Sequence, residues 1–171
     1  KQAQSVMSNV EGAADIGDKD LAVLVEAEQY EEMKLVLTSG AQDIDAANED
    51  GETALHIACD RGHAQGISLL LQHGANARAA SNDKQTPLHM LMCASPDCVD
   101  SIDLLLKHKA SINAVDEDGN TPLHQAVEMD APELAQRLVE LGADVNSKNE
   151  EDIVALNREW AKENGISFAE Q

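Results

Sequence analysis

Three histidines are the first residues in this chain whose type and spacing could do chemistry. They end three similar tetrads, which read Thr-Ala-Leu-His at 53–56 and Thr-Pro-Leu-His at 86–89 and 121–124. A neutral imidazole can bind a metal ion or accept a proton. Each histidine, however, stands at the same position of a separate copy of one repeated segment. This recurrence favours a structural role over a metal site.

Two other groups of residues could also be reactive. Cys93 and Cys98 could form a redox pair, but no basic neighbour is present to lower a thiol pKa. Residues 116–120 read Asp-Glu-Asp-Gly-Asn, which has some likeness to a calcium loop but lacks the alternating ligands and final glutamate of an EF-hand. The chain also contains no glycine-rich phosphate loop, no Gly-x-Ser-x-Gly elbow and no His-Glu-x-x-His motif. We therefore predict no catalytic residue, no cofactor and no metal.

Composition and charge narrow the classes of partner. The chain has 171 residues, with 32 acidic and 12 basic side chains and a net charge of −20. Such acidity argues against nucleic acid as a partner, because proteins bind its phosphates through Lys and Arg. It also argues against binding to anionic membranes. Only 2% of the residues are aromatic, so we expect a core of aliphatic side chains and alanine in small, closely packed helices. Three cysteines fit a reducing compartment, and we expect the cytoplasm or nucleus, or alternatively a soluble organelle compartment after processing.

The tetrads belong to a longer internal repeat. They are 33 and 35 residues apart, and each is followed by an apolar helical pattern and then by a leucine-rich stretch. Thr and Pro suit the start of a helix, because threonine caps free N–H groups and proline fits the first helical position. The stretches end near a Gly-Ala step at 74–75 and 142–143, and near Lys-Ala at 109–110. The period predicts stacked helical pairs.

The repeats resemble the ankyrin repeat family, whose known signature is a 33-residue period with Thr-Pro-Leu-His. The resemblance covers about residues 18–165. It implies an all-α solenoid of stacked helix-turn-helix units with hairpin loops, about five repeats including the caps. Family structure also implies that His56, His89 and His124 join neighbouring hairpins through backbone hydrogen bonds, with Leu55, Leu88 and Leu123 in the core.

The resemblance sets the expected boundaries of the units. Residues 1–17 form an N-terminal tail that a partner could order, and residues 18–171 form the repeat domain. In the domain we expect an N-terminal cap at 18–48, full repeats at 49–81, 82–115 and 116–148, a C-terminal cap at 149–165 and a tail at 166–171. We also expect Ile153, Leu156 and Trp160 to share one face of a helix that Gly165 ends.

The second and third repeats depart from the family pattern. The second repeat carries two extra residues within 93–99, where Pro96 predicts a longer turn between helices. Lys84 and Lys109 stand where the family usually has glycine, and Arg137 takes a position that is usually leucine-like. These changes suggest a locally weaker or specialised centre, or neutral drift.

Variable positions of the family, which usually contact protein partners on the concave side, can be transferred by register. In the second repeat, the insertion makes Cys93 and Ala94 less certain equivalents. The methionines Met90, Met92 and Met129 could add apolar contacts if they face outward. The candidate partner-binding residues are Glu49, Asp50, Glu52, Asp60, Arg61, Asn82, Asp83, Gln85, Glu117, Asp118, Asn120, Glu128 and Met129.

The hairpin tips among these positions are mostly acidic. We therefore predict a non-enzymatic protein-interaction module, an adaptor or a subunit of a larger complex, that binds a basic patch or peptide. We expect the chain to be monomeric by itself and to bind neither nucleic acid nor membranes. Two alternatives remain open: a regulatory inhibitor that covers an enzyme active site or a basic localisation signal, and the ankyrin segment of a longer enzyme.

Overall fold

Nine short helices make up the part of the chain that the structure describes. The structure is a computed structural model, and it describes residues 20–40, 42–94, 98–151, 153–156 and 158–166. The expected tail at 1–17 lies outside these residues. The helices are α1 (Leu21–Glu26), α2 (Tyr30–Ser39), α3 (Ala54–Asp60), α4 (Ala64–Gln72), α5 (Pro87–Leu91), α6 (Val99–Lys107), α7 (Pro122–Glu128), α8 (Pro132–Glu140) and α9 (Arg158–Glu163).

The tetrads begin helices α3, α5 and α7. In each tetrad the threonine has extended backbone angles and is the N-cap, and the histidine three residues later completes a capping box. The histidine therefore takes the place that glutamate or glutamine fills in most capping boxes. In the first tetrad, the Thr53 N–H donates to His56 Nδ1 over 3.1 Å. Pro87 and Pro122 are the first residues of their helices, where no backbone N–H is needed.

The helices pack as antiparallel pairs that stack in two layers. One layer contains α1, α3, α5 and α7, each touching the next, and the other contains α2, α4, α6 and α8. Each helix of the first layer also packs on its partner in the second. The described residues contain helices and two isolated bridges but no strand. The all-α solenoid predicted from the repeats is confirmed.

The hydrophobic core runs along the stack between the two layers. Leu55, Leu88 and Leu123 are completely buried, as predicted. Leu70 and Leu105 of the second layer are also completely buried. Each repeat contributes one set of aliphatic side chains to this core, which no single helical pair could shield from water by itself.

The turn between the two helices is longer in the second repeat, as the insertion predicted. Helix α5 ends at Leu91 and helix α6 begins at Val99, whereas the equivalent turns span only residues 61–63 and 129–131. Pro96 lies outside the described residues. Cys98, at the end of the turn, is buried and its Sγ donates to the Gly62 carbonyl over 3.3 Å. The longer turn is therefore attached to the preceding repeat.

The expected helix carrying Ile153, Leu156 and Trp160 on one face is wrong. An antiparallel bridge joins Lys148 to Val154, as another joins Ala47 to Thr53, so residues 148–154 form a further hairpin. Helix α9 begins only at Arg158. Spacing at three and four residues suggested a helix, but the Ile153 carbonyl instead accepts a hydrogen bond from His124 of the preceding repeat.

None of the helices in the described ranges has the length and hydropathy that crossing a membrane requires.

Candidate functional site

Main-chain hydrogen bonds join the successive hairpin tips into a row. Gly51 shows how close the tips are, because a Cβ atom at this glycine would lie 2.8 Å from the Asn82 nitrogen. Since each tip is tied to the next, the side chains on them are held at a fixed spacing. The bonds run from Asn82 N to Asp50 O (2.9 Å), from Glu117 N to Asp83 O (2.9 Å) and from Glu150 N to Asp118 O (3.0 Å).

A polar side chain inside each tip fixes its shape. Asp116 is buried, and its Oδ1 accepts hydrogen bonds from the backbone N–H groups of Asp118 (3.0 Å) and Asn120 (2.8 Å). Asn48 does the same in the first tip, with Asp50 and Glu52 as donors. The first carboxylate of the calcium-like segment is therefore engaged by its own backbone. The residues that the structure describes include no group of three or more metal-ligating side chains that could hold an ion.

The tetrad histidines connect neighbouring repeats, as the resemblance implied. Their Nε2 atoms lie 3.1 Å from the Gln85 carbonyl, 3.1 Å from that of Asn120 and 3.0 Å from that of Ile153. Because each Nδ1 accepts a hydrogen bond from a threonine N–H, the ring hydrogen is assigned to Nε2, which donates to the carbonyl. Burial lowers the pKa of His56 and His89. The three imidazoles are structural links between neighbouring repeats.

The candidate partner-binding residues are not equally available. The half-buried ones are Glu52, Gln85 and Asn120, and the exposed ones are Glu49, Asp50, Asp60, Arg61, Asn82, Asp83, Glu117, Asp118, Glu128 and Met129.

Several of these side chains are already engaged within the protein. Arg61 Nη2 lies 3.4 Å from a carboxylate oxygen of Glu26, on helix α1. Asn82 Nδ2 donates to the Glu49 carbonyl over 2.9 Å, and Asn120 Oδ1 accepts from Asn149 Nδ2 over 2.8 Å. These two amides thus hold the tips together. The exposed charges at the tips are acidic except for Lys84, and we call Glu49, Asp50, Asp83, Glu117 and Asp118 the tip row.

The methionines differ in position. Met92 is 1% exposed and belongs to the core, so the expectation that it could face a partner is wrong. It lies at the end of helix α5, where the longer turn begins, and packing there favours an apolar side chain. Met90 is half-buried against the core. Met129 is 47% exposed, at the C-terminal end of helix α7.

Cys59 and Cys93 are not activated thiols. Cys59 and Cys98 are buried, whereas Cys93 is exposed in the longer turn. Burial raises the pKa of Cys59, and partial desolvation of the sulfur raises the pKa of Cys93 although its side chain is exposed, so both thiols stay protonated. Gln125 Nε2 contacts Cys93 Sγ at 3.8 Å. Cys59 and Cys98 belong to the hydrophobic core.

An open groove lies beside helix α7, between the third tip and the following hairpin. Its volume is about 840 Å³. Four candidate residues named from the sequence line it, which are Gln85, Asp118, Asn120 and Glu128. The sequence interpretation missed several further lining residues, which are Gln125, Val127, Glu150, Glu151 and Ile153. Gln125 could have been noticed, because Ile57 and Met90 are apolar at the same position after the tetrad histidine.

Comparison with protein families gives a direct match. The model of the family described as ankyrin repeats (3 copies) matches residues 21–116 and 81–149. Ankyrin repeats bind protein partners, and the family is generally non-catalytic.

The curated relatives are much longer proteins. The chain is 33% identical over 121 residues to the E3 ubiquitin-protein ligase KEG from Arabidopsis thaliana, which covers 70% of this chain and 7% of the relative. It is 41% identical over 59 residues to acyl-CoA-binding domain-containing protein 6 from Xenopus tropicalis, covering 34% of this chain and 21% of the relative. It is 45% identical over 47 residues to ankyrin repeat and SOCS box protein 16 from Mus musculus, covering 28% of this chain and 10% of the relative. The chain thus spans about a fifth or less of each of these relatives, and the family match shows that it belongs to the ankyrin repeat family and is a protein–protein interaction module.

Proposed function

We propose that the chain is a non-enzymatic adaptor or complex subunit that binds a basic segment of a partner protein on its tip side. The observation that supports this most is the tip row, a line of exposed carboxylates on hairpins that are bonded to one another. A pre-ordered acidic row loses little conformational entropy on binding. It would attract a basic partner and orient it during approach.

Charge alone would not give a stable complex. Exposed ion pairs are worth only about 0–1 kcal/mol each, so the tip row would need an apolar contact nearby. The groove offers one, because Val127 and Ile153 lie among its acidic lining. Ile153 is 52% exposed, which leaves its side chain free to contact a partner.

The proposal is tested by capturing partners from the native source and then exchanging the charges. The purified partner should bind the wild-type chain in a fixed ratio at moderate salt. A variant with Glu49→Gln, Asp83→Asn and Glu117→Gln should bind it more weakly at low salt. Equal affinities of the wild-type chain and the variant for the partner would contradict the proposal.

A second candidate is that the chain is the ankyrin segment of a longer enzyme. It is favoured by the small share of the relatives' lengths that the chain covers, and by the E3 ubiquitin-protein ligase among them. Sequencing the full transcript tests it, and an added catalytic domain is the expected result.

If the chain is a regulatory inhibitor, it should abolish the activity of an enzyme that it captures. An activity assay on the purified complex measures this.

A further inference from the structure

Resting on the proposed function, we propose that the groove beside helix α7 binds an extended peptide segment of the partner and that the Gln125 amide recognises it. In this arrangement an aliphatic side chain of the segment packs on Val127 and Ile153. A neighbouring lysine or arginine lies against Glu150 and Glu151. The Gln125 amide hydrogen-bonds to the backbone of the segment.

Gln125 carries this inference because it is a buried polar side chain with an incomplete set of hydrogen bonds. It is only 9% exposed and it lines the groove. Its one side-chain hydrogen bond within the described residues is the 3.8 Å contact of Nε2 with Cys93 Sγ, a weak acceptor. The other polar atom of the amide has no protein partner among the described residues. No fully buried side-chain nitrogen or oxygen there lacks a partner, so this atom is open to solvent in the groove.

The equivalent positions show that the scaffold does not require an amide here. Ile57 and Met90 follow the tetrad histidine in the two preceding repeats, and both are half-buried apolar side chains that pack against the core. Packing against the core therefore does not explain an amide at this position. A peptide backbone, which presents both N–H and C=O groups, would supply the missing partner.

The rest of the lining defines the chemistry of the segment. Glu128, Glu150 and Glu151 are exposed carboxylates, and no lysine or arginine lines the groove in the described part of the chain. Val127 is half-buried and Ile153 is 52% exposed, so an apolar surface lies among these charges. An aliphatic residue next to a basic one complements both features, whereas an acidic segment would be repelled.

The test uses short linear peptides of random sequence, displayed and selected on the wild-type chain. The selected peptides should be enriched in lysine or arginine next to an aliphatic residue. Their dissociation constants are then measured on wild type and on Gln125→Met, which carries the residue found at Met90. We expect binding about tenfold weaker, the effect of one lost hydrogen bond. Unchanged affinity, with the variant melting at or above the wild-type temperature, would overturn the role of Gln125.

A pair of charge variants separates this inference from the proposed function. Glu150→Gln with Glu151→Gln removes two charges from the groove, and Glu49→Gln with Asp50→Asn removes two from a distant tip. A larger loss of affinity in the groove pair supports the inference. Losses confined to the distant pair would overturn it and leave the proposed function standing. If the selected peptides lack basic residues and bind the two double variants equally well, both the groove inference and the proposed function are contradicted.

Discussion

Arg137 of helix α8 forms a two-pronged ion pair with Asp103 of helix α6, across the boundary between the second and third repeats. Its Nη2 lies 2.6 Å from Asp103 Oδ1, and its Nε lies 3.0 Å from Oδ2. Nη1 reaches Glu140 over 3.0 Å. The departure from the family's usual leucine thus replaces an apolar contact with a charged link between repeats.

This pair should be measurable as a coupling between the two residues. We expect Arg137→Gln and Asp103→Asn each to lower the melting temperature slightly, and the double variant to lose less than the sum, because both single changes break the same contact. The hydrogen bonds from Arg137 lower the pKa of Asp103. The coupling should therefore be present at neutral pH and decline as the pH falls below about 3.9, the ordinary pKa of aspartate. Strictly additive melting shifts would contradict the assignment.

Lys109 occupies a backbone conformation that suits glycine. Its φ is +71°, close to the +93° and +90° of Gly74 and Gly142 at the equivalent positions. We expect Lys109→Gly to raise the free energy of unfolding by up to about 1 kcal/mol, because relief of left-handed strain exceeds the extra freedom of glycine in the unfolded chain. Urea unfolding measures the change. Lys109→Ala keeps the Cβ atom and should change little; an equal gain from alanine would refute the explanation.

The buried histidines predict a loss of stability in mild acid. Burial lowers the pKa of His56 and His89 from 6.5, so the unfolded chain binds protons more readily than the folded one. Stability should therefore be complete above about pH 6.5 and fall as the pH drops below that value. The urea midpoint followed over this range checks it. His89→Gln should flatten the pH dependence, and a slope equal to that of wild type would contradict this assignment.

The register of the insertion-bearing repeat can be tested in its second helix. Leu105 is completely buried, whereas the adjacent Leu104 is half-buried. Leu105→Ala should cost about 2–5 kcal/mol of unfolding free energy, and Leu104→Ala clearly less. Equal costs in urea unfolding would mean that the helix face is assigned incorrectly.

Much of the fold could be predicted from the sequence because the three repeats can be aligned with one another. The threonine caps, the tetrad histidines and the buried leucines recur at fixed positions, so one repeat explains the next. The C-terminal cap could not be predicted in the same way. Its hairpin ends in Val154-Ala155-Leu156, where the histidine signature is missing, and the spacing of Ile153 and Leu156 also fits a helix.

The candidate site was predicted less completely than the fold. Register alone identifies the tip row, since tips are exposed in every repeat. The groove depends on how the C-terminal hairpin packs beside helix α7, which brings Glu150 and Ile153 near Gln125. Residues that are distant in sequence cannot be grouped by periodicity when the hairpin between them is itself misassigned.

The central claim is that the tip side, and not acidity in general, binds the partner. Association rates with the captured partner, measured across a salt series, test it most directly. The tip variant carries Glu49→Gln, Asp83→Asn and Glu117→Gln; the matched control carries Glu31→Gln, Asp100→Asn and Glu133→Gln on the second helices, with the same change in charge. The account predicts slower association and a weaker salt dependence for the tip variant alone. Equal effects of the two variants would contradict it.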